Sequence, residues 1–435
     1  MTQRTLADWL SYLEQLHPSA IDMGLQRVQR VATLLGLSRP APLVITVTGT
    51  NGKGSTCAFL ESLLLAQGLS VGVYSSPHLL RYNERVRIAG VDASDSELCT
   101  AFTEVERARA DTSLTYFEMG TLAAFWLFER AELDAVILEV GLGGRLDAVN
   151  LIDADLALIT SIGLDHADWL GDTRESVAFE KAGILRANKP ALCGDLDPPL
   201  PLLERIAELD CPFFARAMDY SFHVAAGAWR WNGLNSRGEV LQLNNLPLLD
   251  LPLENAALAV QAYALLDLPW QAEQIASALA STRMVGRLDR RVVRWQGKVL
   301  TLLLDVGHNP QAAEYLAQTL AVKPLKGKRL AVFGLLSEKD LRGVISPLLS
   351  EVQGWAVVDL PTTRSRSADE IKTELLSFGA NVEAYSDVAA ALRAQCVKAT
   401  AEDEILLFGS FYCVAQALEW LACVTAQEVG DGFAG

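Results

Sequence analysis

Residues 43–68 read LVITVTGTNGKGSTCAFLESLLLAQG, and this stretch decides the fold. Leu43–Thr48 is a short apolar, β-branched run, the pattern of a buried strand. Gly49–Gly54 cannot continue it. Three glycines, Gly49, Gly52 and Gly54, make a loop whose backbone can take positive φ and approach a ligand closely. From Ser55 the apolar spacing becomes helical, with Ala58, Phe59, Ser62, Leu63 and Ala66 along one face and Gly68 as the stop. In a strand, glycine-rich loop and helix arrangement, backbone N–H groups and the helix N-terminus hold phosphate oxygens. Lys53 adds a full charge for the terminal phosphates, and a hydroxyl on the first helical turn can reach Mg²⁺. The spacing departs from the usual G-x-x-x-x-G-K-[ST]. It runs Gly49-Thr50-Asn51-Gly52-Lys53-Gly54-Ser55, with an extra glycine between lysine and hydroxyl. The alternative is a glycine-rich βα turn with a solvated lysine.

A chain of 435 residues has room for two or three domains with their own cores. Its 50% hydrophobic and 21% charged content is that of a globular enzyme. A net charge of −16 argues against a general nucleic-acid or anionic-membrane binder, which would need phosphate neutralisation. No signal peptide and no bilayer-length apolar run are visible, so a cytoplasmic protein without membrane or nucleic-acid partners is expected. The seven cysteines are scattered, without a C-x-x-C pair, and read as small core residues in a reducing compartment.

Along the chain, residues 5–16 read as an amphipathic helix. Ile21-Asp22-Met23-Gly24-Leu25 follows, then a second helix to Leu35, with Asp22 placed to cap it. Strand Ser70–Tyr74 runs into Ser75-Ser76-Pro77-His78, where proline ends the strand. Thr115 and Glu118 form a capping-box pattern opening an apolar helix to Arg130. Strand Asp134–Val140 carries Glu139 near its end. A carboxylate there can hold Mg²⁺, and burying it unpaired would be costly, so Glu139 needs a cation. Strand Asp155–Ser161 leads to His166 at its carboxyl end, where open α/β sheets place ligands. Lys181, in Glu180-Lys181-Ala182-Gly183, reads by itself as a surface or ion-paired lysine. Residues 195–250 read as a small β-rich excursion, and a helix restarts at Glu254. Arg287 reads by itself as a solvated linker residue. Strands at 300–305, 329–333, 355–359 and 404–408 then alternate with helices, giving a second parallel sheet with Asp305, His308 and Ser410 just past strand ends.

These segments, in this order, resemble the folylpolyglutamate synthases of the Mur ligase superfamily. The resemblance rests on TGTNGKGS at 48–55, SSPHL at 75–79, TYFE at 115–118, EVGLGGRLDAVN at 139–150, EKAG at 180–183, Asn255, MVGRL at 284–288 and DVGHNP at 305–310. Val149 stands where threonine is usual, Val285 where proline is, and Gly307 where alanine is. The implied fold is α/β. A P-loop ATPase-like parallel-sheet domain (1–286) binds ATP and folate, and a smaller Rossmann-like α/β domain (287–435) follows, the two closing a cleft around the reaction. The resemblance implies ATP binding by Gly49, Thr50, Asn51, Gly52, Lys53, Gly54, Ser55, Asn255, Arg287 and Asp305. It implies two Mg²⁺ sites served by Ser76, Glu139 and His166, with Lys181 carbamylated. It assigns the pteroate pocket to Ile21, Asp22, Met23, Thr115, Tyr116, Phe117, Glu118, Arg145 and Asp147, and glutamate to His308 and Ser410. Lys53, Lys181, Arg287 and His308 are the expected catalytic residues. The activity implied is an ATP-dependent amide ligase, a monomer, adding L-glutamate to 7,8-dihydropteroate and to tetrahydrofolates through an acyl phosphate. A monofunctional synthase is the nearest alternative. A muramyl-peptide ligase is disfavoured because the phosphate loop at residue 49 is expected to leave no room for a preceding nucleotide-sugar domain. A regulator without catalysis predicts damage at the phosphate or metal positions, and the sequence has none.

Overall fold

The structure, a computed structural model, describes residues 4–323 and 325–431. The chain divides into two compact units, residues 1–282 and 283–435.

In the first unit, Leu43–Thr48 forms β1 at the centre of an eight-stranded sheet. The other strands are β2 (Val71–Tyr74), β3 (Val86–Ile88), β4 (Val91–Asp92), β5 (Ala135–Glu139), β6 (Leu156–Ile159), β7 (Ala191–Cys193) and β8 (Phe213–Ala215), in the order β4-β3-β2-β5-β1-β6-β7-β8. β1 pairs in parallel with β5 from Leu43↔Ala135 to Val47↔Glu139, and with β6 from Ile45↔Leu156 to Thr48↔Ile159. These strands are buried on both faces, which is why they read as continuous apolar runs. Their parallel register has a consequence for function: β1, β5 and β6 all end at one edge, so the loops after Thr48, Glu139 and Ile159 emerge together.

The helix after β1 spans Lys53–Ala66 and starts two residues earlier than its apolar spacing suggests. Gly52, at φ +86°, turns the chain so that Lys53 is already helical. The helix is buried almost all round because helices Leu253–Ala264 and Ala272–Ser281 cover the side facing away from the sheet. Residues 195–250 are only partly β. Leu200–Glu208 is helical, opened by Pro199 at its N-cap, and β8 joins the main sheet. β9 (Ser221–Ala225), β10 (Ala228–Leu234) and β11 (Val240–Pro247) then form a separate antiparallel sheet. Buried Trp231 anchors that sheet by donating from Nε1 to the Ala257 carbonyl at 3.1 Å.

The second unit has six strands in the order β12-β13-β17-β14-β15-β16. β13 (Lys298–Leu304), β14 (Arg329–Phe333), β15 (Gly354–Val358), β16 (Val382–Tyr385) and β17 (Glu404–Phe408) run parallel, and β12 (Asp289–Trp295) pairs antiparallel with β13 at the edge. The α/β class expected from the sequence is what the structure has. β12 and β16 were not anticipated. Six cysteines are buried and free, and Cys423 is exposed. Among the described residues no helix is long and apolar enough to cross a membrane.

Candidate active site

The loop after β1 is drawn tightly against its neighbours. A Cβ on Gly49 would lie 1.8 Å from Thr160 Oγ1, and one on Gly52 would lie 2.5 Å from Asn255 Oδ1, so only glycine fits at either place. Thr50 N–H donates to the Ser161 carbonyl at 2.9 Å, and Asn51 N–H donates to Ser161 Oγ at 3.0 Å. Lys53 folds back over this loop, its Nζ donating to the Gly49 carbonyl at 2.9 Å and the Thr50 carbonyl at 3.3 Å. Asn255 Nδ2 donates to Ser55 Oγ at 2.7 Å. It therefore ties the first turn of the loop's helix to helix Leu253–Ala264.

Glu139 ends β5 with 4% of its surface exposed, and its Oε2 accepts from the Ser76 backbone N–H at 3.1 Å. Two neighbours unread in the sequence fix the Ser76 loop. Glu84 accepts from the backbone N–H groups of Leu79 (2.7 Å), Leu80 (2.8 Å) and Arg81 (2.8 Å), and Arg85 Nε donates to His78 Nδ1 at 2.8 Å. Lys181, on helix Arg174–Ala182, is 2% exposed. Burial holds its amine down to about 7, with Lys53 pushing the same way and Asp165 opposing. His166 caps the short helix Ala167–Leu170 in the left-handed region (φ +54°), with Nε2 4.0 Å from Asp165 Oδ2.

Among the described residues, no three His, Cys, Asp or Glu side chains cluster as metal ligands. The expected set contains only two such residues, Glu139 and His166. The other donors would be a hydroxyl, a carbamate and phosphate oxygens. A carboxylate buried at a strand end beside a phosphate loop fits a hard cation, which prefers oxygen ligands.

Around the loop after β5, the expected acceptor-pocket residues draw together in contacting groups. A Cβ on Gly141 would lie 2.7 Å from Phe117 Cζ and 3.3 Å from Asp147 Oδ2. Asp147 is buried and accepts from the Leu142 and Val149 N–H groups, both at 2.9 Å. Burial pushes its carboxyl up to about 6 against those hydrogen bonds and the charge of Lys53. A Cβ on Gly143 would lie 2.9 Å from Leu170 and 3.9 Å from Met23. Arg145 pairs with Glu180 at 2.8 Å, its guanidinium 5.3 Å from the Phe179 ring. Tyr116 stacks edge-on with Tyr82 at 5.7 Å. Thr115 and Glu118 do form a capping box, Glu118 Oε2 accepting from Thr115 N–H at 2.7 Å and Thr115 Oγ1 from Glu118 N–H at 3.2 Å. Ile21 is half-buried on the same loop as Asp22 and Met23.

Within the second unit, Asp305 accepts from the N–H groups of Leu288 (2.9 Å) and Gly307 (2.7 Å). Burial raises its carboxyl while Arg287 opposes. The Phe411 ring is near both Arg287, whose guanidinium is 5.3 Å from its centroid, and His308, whose ring is 6.2 Å away. His308 Nδ1 is 2.9 Å from the Val306 carbonyl. Ser410 Oγ accepts from Cys413 N–H at 3.0 Å, at the start of helix Phe411–Asp431.

Comparison with known proteins shows similarity over most of the chain. Residues 47–194 match the Mur ligase middle domain, and residues 286–411 match the Mur ligase glutamate ligase domain. The chain is 46% identical over 414 residues to the dihydrofolate synthase/folylpolyglutamate synthase of Escherichia coli K12, covering 95% of each protein. Its fold is similar to that of E. coli FolC in complex with DHPP and ADP, with a TM-score of 0.90 at 45% identity over 97% of this chain and 98% of that one. The bifunctional folylpolyglutamate synthase/dihydrofolate synthase of Yersinia pestis, solved with AMPPNP and a Mn ion, matches with a TM-score of 0.88 at 46% identity over 96% of this chain and 98% of that one.

Proposed function

The chain belongs to the dihydrofolate synthase/folylpolyglutamate synthase family of Mur ligases, and from that premise we propose how its residues carry out ATP-dependent glutamate ligation. The enzyme joins L-glutamate to 7,8-dihydropteroate, giving dihydrofolate, and to tetrahydrofolates, giving polyglutamates, with release of ADP and phosphate. It uses a nucleotide and a divalent metal. The finer assignments below are the proposal.

A carboxylate does not condense with an amine at neutral pH. Transfer of the γ-phosphoryl of ATP to a carboxylate oxygen of the folate gives an acyl phosphate and ADP. The glutamate amine then attacks the acyl carbon, loses a proton and expels phosphate. In-line phosphoryl transfer needs cations fixed around oxygens whose charge is shifting. Lys53 is the cation of the loop, with Gly49–Ser55 and Asn255 holding the phosphates, and Arg287 and Asp305 complete the nucleotide's contacts. Mg²⁺ at two sites, held by Ser76, Glu139 and His166, supplies further neutralisation of the phosphate oxygens when bound. Lys181, with its amine held down to about 7, is substantially neutral at physiological pH and can take up CO₂ with loss of a proton. The resulting carbamate turns a cation into an oxygen ligand. Asp22, Phe117, Glu118, Arg145 and Asp147, with their neighbours Ile21, Met23, Thr115 and Tyr116, form the pteroate pocket. His308 and Ser410 serve glutamate. A cytoplasmic monomer is the form we propose acts.

The observation that carries this reading is the convergence of a phosphate loop and a buried glutamate at one edge of one sheet, with a buried lysine of lowered basicity that feels the charge of Lys53. The test is ADP and phosphate release with Mg²⁺ and L-glutamate, comparing 7,8-dihydropteroate with tetrahydrofolate. Turnover with both is expected. Turnover with tetrahydrofolate alone would leave a monofunctional synthase, and turnover with neither, in protein that still binds ATP, would leave a regulator. Lys53→Ala should lower kcat by about 10³-fold or more. Amide synthesis retained in that variant would overturn the phosphate-loop assignment.

A further inference from the structure

We propose that Arg27 is a positioning residue that locks the two halves of the acceptor pocket together and orients the Asp22 carboxylate toward the substrate ring. The proposal rests on assigning residues 21–23 and 115–118 to that pocket. Arg27 lies in the first turn of helix Gln26–Leu35. Its Nη1 donates to Asp22 Oδ2 at 2.6 Å, and its Nη2 to the Asp22 backbone carbonyl at 2.9 Å. The same Nη2 donates to Glu118 Oε1 at 2.9 Å, 91 residues away in sequence. Glu118 Oε2 is already engaged with Thr115 N–H. One guanidinium thus joins the N-terminus of helix Tyr116–Arg130 to residues 21–24, which are neither helix nor strand and depend on side-chain ties for their position.

Gripping both the carboxylate and the carbonyl of Asp22 fixes its side chain and its peptide plane together. Oδ2 also faces His17 Nε2 at 3.4 Å, which leaves Oδ1, among the described residues, as the oxygen without a protein hydrogen bond, on a side chain that is 40% exposed. A carboxylate held in this way, with one oxygen left over, suits an N–H donor on the edge of a bicyclic pyrimidine-type ring. Lysine cannot substitute, because an ammonium lacks the planar fork that makes three directed contacts.

The test is steady-state kinetics of the full-length enzyme, with ATP, Mg²⁺ and L-glutamate saturating and dihydropteroate varied, on wild type, Arg27→Ala, Arg27→Lys, Asp22→Ala and the Asp22→Ala/Arg27→Ala pair. Arg27→Ala should raise KM for dihydropteroate about tenfold, with kcat and KM for ATP within about twofold of wild type. Arg27→Lys should recover less than about half of that loss, and it carries the test if the alanine variant does not fold. The double variant should be no worse than Asp22→Ala, because the arginine acts through the aspartate. KM for ATP, kcat and Tm moving in step with KM for dihydropteroate would mark a merely structural residue and overturn the proposal. If Asp22→Ala raises KM and Arg27→Ala does not, the positioning role fails while the pocket assignment stands. If neither raises it, the pocket assignment itself fails.

Discussion

Lys181 keeps 2% of its surface exposed, and burial with the nearby charge of Lys53 brings its amine down to about 7 from 10.5. The unfolded chain therefore holds a proton between about pH 7 and 10.5 that the folded chain has released. Below that window both states are protonated and the native state bears the full cost of a buried charge. Through it, stability rises with pH. Chemistry follows the same titration, since only the neutral amine adds CO₂. About a tenth of the amine is neutral at pH 6 and about nine-tenths at pH 8, from a midpoint near 7. Enzyme depleted of CO₂ should lose activity and regain it when CO₂ is restored at one fixed dissolved CO₂ concentration, about tenfold faster at pH 8 than at pH 6. ¹³C NMR with labelled bicarbonate should show a carbamate resonance that Lys181→Met lacks. Full activity after depletion, with no such resonance, would remove the carbamate from the mechanism. Asp147 is displaced in the opposite sense, a carboxyl pushed up to about 6 by burial while three backbone N–H groups and Lys53 oppose. Two buried groups drawn toward neutral pH from opposite sides, each feeling the charge of Lys53, mark a candidate functional site better than either does alone.

At the scale of the element, the β1–loop–helix unit works because its glycines bring backbone where side chains would not fit. Gly52 takes φ +86° with Asn255 Oδ1 2.5 Å from where a Cβ would stand. Gly52→Ala would strain the backbone and push Asn255 off Ser55, at a cost of about 1–3 kcal/mol. The expected result is at least tenfold weaker binding of an ATP analogue by calorimetry, with the acceptor KM changed less (~twofold). Unchanged nucleotide affinity would show that loop and Asn255 move apart without consequence. This unit was legible in the sequence because everything that makes it is local: an apolar β-branched run, closely spaced glycines, then helical spacing. What was missed depends on distance or on masking. Arg27 was passed over because its second partner, Glu118, is 91 residues away. Lys181 reads as a surface residue because nothing in EKAG signals the burial that lowers its amine. The edge strand β12 carries no sequence reading because three arginines interrupt its apolar pattern, and helix Leu200–Glu208 is hidden behind Pro198 and Pro199. Thr115 and Glu118 show the converse, a capping box read correctly that also ties into the Arg27 network.

Across the whole molecule, each unit closes its own sheet around its own core. In the first, that core includes Phe59, Phe102, Phe125 and Phe128, all fully buried. In the second, Phe333 is packed against Phe408, with ring centroids 4.6 Å apart, and edge-on to Trp355 at 6.0 Å. Units with separate cores should also unfold separately, since cooperativity is carried by shared burial. Phe333→Ala removes a ring that is 0% exposed, and a large-to-small change in such a core costs about 3–5 kcal/mol. For a unit of this size that is a fall on the order of 10 °C in its transition. Scanning calorimetry of the intact chain should show one transition falling by that amount and the other staying within about 2 °C. An ATP analogue should still raise the unmoved transition, because the proposed phosphate contacts Gly49–Ser55 and Asn255 belong to the first unit, with Arg287 and Asp305 in the second. A single transition falling as one would mean that the two cores are thermodynamically coupled. In that case a core substitution in the second unit would weaken the phosphate loop as surely as one beside it.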